Sequence, residues 1–193
     1  MSTLQVNTIS ESTSANGVTI DGVLIKDGLV DGKDVSAIAS GITEYDSWYL
    51  SASVTSDADI TANLVRASGT LVQKIGTGMS QSSGIFTFPS TGLWRVSAKI
   101  FSINVAGDTV LCYIVSSDDN FSSEARVGLA KFGSGASGSA TGGTGYGEVL
   151  LDIEDVSTGK VKFEAVSINS GSYLTGGTFP DATAFTFERL GDT

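Results

Sequence analysis

Leu93-Trp94-Arg95-Val96-Ser97-Ala98-Lys99 alternates apolar and polar residues from Trp94 onward. A period of two puts Trp94, Val96 and Ala98 on one face and Arg95, Ser97 and Lys99 on the other. That is the pattern of a strand with one side in a core and the other in water. The same reading extends outward. Val149, Leu151 and Ile153 alternate with Glu148 and Asp152, and Val161, Phe163 and Ala165 alternate with Lys160, Lys162 and Glu164. From Asp46 onward about ten runs of this kind follow one another, separated by turn residues. They lie near 48–55, 60–66, 71–75, 84–88, 93–103, 109–116, 125–132, 146–153, 160–168 and 183–190. Short strands at that spacing predict an all-β sandwich, and no segment reads as a helix.

Two runs carry further expectations. Glu154-Asp155-Val156-Ser157-Thr158-Gly159 suits a hairpin loop joining its neighbours, whose opposed charges would then pair across strands. Val110-Leu111-Cys112-Tyr113-Ile114-Val115 is apolar on both faces, whereas a strand covered on one side should alternate. Its outer face is therefore expected to meet another subunit. Leu111 and Tyr113, together with Phe187, are the candidates for that contact.

Composition bounds the chemistry. The chain has 193 residues and 19.8 kDa, 24 glycines but only 2 prolines, and 40% hydrophobic against 17% charged residues. Size and apolar content suffice for one ordinary domain with an appendage. With no histidine, Ser-His-Asp and Cys-His nucleophile systems are excluded, as are the commonest zinc sites. One cysteine, Cys112, permits no internal disulfide and reads as packing. The balance of 11 Lys+Arg against 21 Asp+Glu gives −10, the opposite of the basic footprint that nucleic-acid binding needs. Acidity here serves solubility and repulsion between copies. No apolar run reaches the ~18–20 residues of a membrane helix. The opening MSTLQVNTIS has neither a basic nor an apolar signal region, so synthesis and assembly are expected in a cytoplasm.

The first forty-four residues stand apart, because all 16 aromatics lie at or beyond Tyr45. A segment with only short runs such as Val18-Thr19-Ile20 and Val23-Leu24-Ile25 buries too little to offset its ordering entropy alone. Its β-branched residues are nevertheless punctuated by Asp-Gly at 21–22, 27–28 and 31–32, a pair that suits tight hairpin turns. Three copies about one axis would bury Val18, Ile20, Val23, Ile25 and Val30 against one another. The expected division is a stalk or attachment segment, 1–44, and a sandwich domain, 45–193.

Motifs for chemistry are few. Gly133-Ser134-Gly135-Ala136-Ser137-Gly138 has the spacing of a dinucleotide loop, but no helix can follow it in so glycine-rich a stretch. Residues 133–147 are read as a mobile loop at an exposed tip, with Gly142, Gly143, Thr144 and Tyr146 as contact residues. Tyr146 and Tyr173, both set among small residues, are candidates for stacking on a sugar ring, while Trp48 and Trp94 read as core anchors. The acidic groups Asp57/Asp59, Asp118/Asp119 and Asp152/Glu154/Asp155 sit in Ser/Asp turns and read as solvated. No cofactor is expected. Calcium is the one metal such oxygens suit, but the Asp-x-Asp-x-Asp-Gly spacing is absent. Nothing opposes two carboxylates across a sugar as a glycosidase requires, so no enzyme activity is expected.

Two resemblances sharpen this picture. Gly84-Ile85-Phe86-Thr87-Phe88-Pro89-x-x-Gly92-x-Trp94-x-Val96 resembles the G-x-F-x-x-P-x-x-G-x-Y-x-F signature of complement globular-head domains, with Trp94 in place of the usual Tyr. These belong to the tumour-necrosis-factor-like jelly rolls. Gly147–Ile153, Thr158–Phe163 and Ala184–Leu190 are similar to that family's closing strands, in order and in spacing. The resemblance covers residues 46–193 and implies a homotrimeric jelly roll of about ten strands. Residues 1–36 resemble the leading segment of structural proteins from tailed, particularly marine, phages. Together these imply a virion appendage with its base held on the particle through residues 1–44 and its knob displayed to a host-surface glycan or protein. The alternative is a purely architectural capsid cement or decoration with no host-binding role. Either would be assembled in the host cytoplasm, without nucleic acid or membrane insertion.

Overall fold

The computed structural model describes residues 41–69, 73–135, 139–177 and 182–193 in full and, for 18–20, 23–26, 29–30 and 33–34, the backbone. The chain divides into two units, Met1–Gly41 and Ile42–Thr193. In the first, β1 (Val18–Ile20), β2 (Val23–Lys26), β3 (Leu29–Val30) and β4 (Lys33–Asp34) pair in chain order as an antiparallel meander. Its register opposes Val18 to Ile25, Ile20 to Val23 and Ile25 to Val30. The packing expected of the Val18, Ile20, Val23 and Ile25 side chains lies outside the described residues.

The second unit is a two-layer antiparallel sandwich, and among its described residues there is no helix. The strands of the first sheet are β5 (Tyr45–Leu50), β7 (Leu64–Arg66), β10 (Gly92–Asn104), β13 (Thr141–Ile153) and β16 (Ala184–Gly191), in the order β13-β10-β16-β5-β7. Short β15 (Tyr173–Leu174) also pairs with β10. The second sheet runs β12 (Ala125–Gly133), β11 (Thr109–Ser117), β14 (Lys160–Val166), β9 (Ile85–Thr87), β8 (Ser80–Ser82), with β6 (Ala58–Asp59) on β14. Most successive strands switch sheets, with β8–β9 and β11–β12 as hairpins inside the second sheet, which is the jelly-roll arrangement.

Alternation decides what lies between the layers. Trp94, Val96, Ala98 and Ile100 of β10 point inward, as do Val110, Cys112 and Ile114 of β11 and Val161, Phe163 and Ala165 of β14. Phe86 meets Trp48 edge-on at 5.4 Å between ring centres, and Phe163 stacks on Phe185 at 3.9 Å. Phe187 lies 4.8 Å from Phe86 and 6.1 Å from Phe163 and is wholly buried. The expectation that Phe187 contacts another subunit is therefore corrected: it belongs to the protomer's own core. Burial also pushes the Cys112 thiol up to about 12, so it acts there as a small hydrophobe.

Two loop expectations fall as well. Residues 154–159 do not close a hairpin, because β13 pairs with β10 while β14 pairs with β11, β9 and β6. The segment crosses between layers, and the β14 charges find partners elsewhere: Lys162 with Asp59 and Glu124, Glu164 with Arg126. Nor is 133–147 a loop. β12 runs to Gly133 and β13 begins at Thr141, so its second half is strand, with residues 136–138 outside the described residues. The glycines there allow close approach rather than mobility. A Cβ on Gly145 would stand 2.3 Å from the Lys131 carbonyl oxygen, and one on Gly147 would stand 2.2 Å from that of Leu129. The edge strands of the two sheets thus meet backbone to backbone, and the long edge strand β12 is covered.

Candidate functional site

With the inner faces committed to the core, function falls to the outer faces. Across the first sheet the register sets Tyr146, Lys99, Ala184, Tyr49 and Val65 side by side on five strands. The parallel row towards one end reads Glu148, Ser97, Thr186, Ser47, and the next reads Leu150, Arg95, Glu188, Tyr45. Ile75 bridges to Tyr45 at that margin. Towards the other end come Thr144 with Phe101, then Gly142 with Ile103 and Tyr173. Four of the chain's five tyrosines therefore share one sheet face with Phe101, Ile103 and Leu150.

This face is most exposed at Tyr146, 58%, and Leu150, 56%, while Tyr45, Tyr49 and Tyr173 are half-buried. Its polar groups are mostly paired within it. The Tyr146 hydroxyl donates to Glu148 Oε2 at 2.8 Å, which together with burial raises its pKa. Arg95 meets Glu188 at 3.0 Å, and Ser97, only 5% exposed, bonds Thr186. A sheet face rich in aromatic rings, with the Tyr146 hydroxyl already paired, is suited to a second protein surface.

Of the residues read as loop contacts, Gly142, Thr144, Tyr146 and Tyr173 come together here, on strands rather than at a tip. Gly143 departs from them: it turns the other way, and a Cβ on it would stand 2.1 Å from the Phe132 ring. Tyr45 was missed because its run was placed too late, at 48–55, and Tyr49, inside that run, was not singled out. The period-two alternation Tyr45, Ser47, Tyr49 against Asp46, Trp48, Leu50 was the available signal.

Leu111 and Tyr113 lie on the other outer face, half-buried. Arg126 stands 4.3 Å over the Tyr113 ring and is held there by two hydrogen bonds to Glu164, at 2.7 and 2.8 Å. Tyr113 is thus covered in part from within the protomer, while Leu129, its partner on β12, stays exposed.

The acidic clusters also converge. Asp118 and Glu124 from one connection and Asp152, Glu154 and Asp155 from another line a cavity of about 580 Å³ beside the buried Lys160. Hydrogen bonds from Ser123 and Ser117 hold the Asp119 carboxyl down at about 2, and Ser157 lowers Asp155 in the same way. No group of three or more Cys, Asp or Glu side chains among the described residues is placed to hold a metal ion.

The two-layer topology is shared with solved structures. The Eiger tumour necrosis factor of S. frugiperda superposes with a TM-score of 0.62 at 11% identity, covering 79% of this chain and 96% of that one. The chain has a tumour-necrosis-factor-like jelly-roll fold. Murine APRIL matches with a TM-score of 0.58 at 10% identity, over 76% of this chain and 98% of its own. The PRD1 vertex protein reaches 0.48 at 15% identity, over 79% of this chain and 100% of that one, too distant to bear on function. No protein-family model matches, and no curated protein matches the sequence.

Proposed function

We propose that this jelly-roll chain is a non-enzymatic structural protein of a phage virion that assembles as a homotrimer. The observation that carries the reading is the tyrosine-rich outer face of the β13-β10-β16-β5-β7 sheet, an aromatic surface on an acidic chain. Three copies packed through it would bury Tyr45, Tyr49 and Tyr146 around the axis as a closed assembly. This relocates the subunit contact from the Leu111/Tyr113 face, where Arg126 lies over the Tyr113 ring. The phage context rests on the resemblance of residues 1–36, and residues 1–44 are assigned to attachment on the particle.

The knob's role divides two ways. As a displayed fibre or head appendage it would contact a host glycan or protein, multiplying weak contacts by multivalency. As a capsid cement it would only add bulk and stability. The position of Tyr146 and Tyr173 favours the second, since a face buried between subunits has no access to a receptor.

Light scattering on the full chain tests the assembly. Wild type should show three times 19.8 kDa, and Tyr49→Asp/Tyr146→Asp should fall to one chain with its β-sheet circular dichroism intact. A wild-type monomer would refute the reading. The two roles are then separated by whether purified trimer competes with particles for host cells.

A further inference from the structure

Between β7 and β8, residues 73–79 run along the margin of the tyrosine-rich face. Residues 73–77 are exposed, whereas Met79 is buried in the core. A stretch with so little buried side chain is held by its backbone. Ile75 exchanges two hydrogen bonds with Tyr45, at 2.9 and 3.2 Å. Beyond it, three successive amides point at two carboxylates from the start of β5. Thr77 donates to Glu44 Oε1 at 3.0 Å, Gly78 to Glu44 Oε2 at 2.9 Å and Met79 to Asp46 Oδ2 at 2.8 Å. Gly76, at a φ of 70°, passes so close that a Cβ there would run into the Glu44 carboxyl group.

The two carboxylates differ in how firmly they hold. Asp46 is 1% exposed and also accepts from Trp48 Nε1 at 2.9 Å and from Arg66 Nε at 3.1 Å. Arg66 Nη2 in turn donates to the Met79 carbonyl. Freeing that end would break a buried charge pair. Glu44 is only half-buried, and no ion pair among the described residues includes it. Water can take the place of the two amides on its oxygens, so this end opens at far lower cost.

We propose that residues 73–79 form a strap, hinged at Met79 and latched by Glu44, whose closed position seats Ile75 beside Tyr45 on the face assigned to subunit contact. Glu44 is then a positioning residue, supporting assembly through Ile75. With the latch open, Ile75 leaves Tyr45 and the face loses its apolar margin. The fraction of closed strap therefore scales the affinity between copies. The role in assembly rests on the trimer reading; the latch itself does not.

The test is residue-level amide exchange on the full chain, with light scattering over a dilution series. In Glu44→Ala the Thr77 and Gly78 amides should exchange about tenfold faster, with Met79 unchanged. Glu44→Gln, which keeps an oxygen acceptor, should lie between, and Gly76→Ala, which displaces the carboxyl group, should match Glu44→Ala. The concentration at which the trimer half-dissociates should rise about threefold or more in Glu44→Ala. Unchanged exchange at Thr77 and Gly78 would overturn the latch, and equal acceleration at Met79 would overturn the hinge. Faster exchange with unchanged dissociation would overturn the role in assembly alone. A wild-type monomer would refute the trimer reading and that role together, while the exchange rates would still decide the latch.

Discussion

The two outer faces of the sandwich are built from strands of similar length over one core, yet they meet water differently. On the β11 sheet the exposed groups neutralise one another: Arg126 with Glu164, and Lys162 with Asp59 and Glu124. Two of the rings there lie under the same cations, Tyr113 under Arg126 and Phe121 under Lys162, while Val127 and Leu129 of β12 stay exposed. On the β10 sheet the polar groups are paired among themselves and leave aromatic surface open, with Tyr146 and Leu150 more than half exposed. One face is held mainly by its own ion pairs. The other is the kind of surface that a partner completes.

The comparison rests first on the shared core. Phe187→Ala should destabilise both faces together by about 3–5 kcal/mol in denaturant unfolding, with no separate transition for either sheet. A change confined to one sheet would break the picture of a single core. Next comes the seam at the β12–β13 edge. Gly145→Val would drive a side chain into the Lys131 backbone and should cost about 1–3 kcal/mol or more, with amide exchange faster in β12 than in β14.

Arg126→Ala sharpens the contrast between faces. Uncovering Tyr113 should lower Tm by only about 1–2 °C and leave the mass in light scattering unchanged. Loss of assembly would instead return the subunit contact to that sheet. The smallest effect concerns acid. The Asp119 carboxyl is held at about 2 against an ordinary 3.8, so the unfolded chain takes up its proton first. Its contribution is complete above about pH 4 and is lost as pH falls towards 2. Asp119→Asn should flatten that part of the stability profile by lowering stability slightly at neutral pH, towards the value the wild type has at acid pH.

Much of this architecture is legible in local pattern. The alternation at 93–99 places Trp94, Val96 and Ala98 inward, and they are buried. The runs at 109–116, 125–132 and 160–168 fall within two residues of β11, β12 and β14. The failures share a cause. Phe187, the 154–159 connection and the 133–147 glycines each depend on what lies across the sandwich. Local sequence is silent about neighbours more than a hundred residues away, such as Phe86 beside Phe187.

By itself, then, the sequence determined the strand class, the two-region division of composition and the exclusion of histidine chemistry, because period and residue type are local properties. Only the tertiary structure decided which outer face is aromatic. Tyr45 and Tyr49, Tyr146, and Tyr173 come from three segments and meet through the register of paired backbones, which no stretch of chain carries alone. The glycines of β13 make the same point: their meaning is set by the β12 carbonyls they admit.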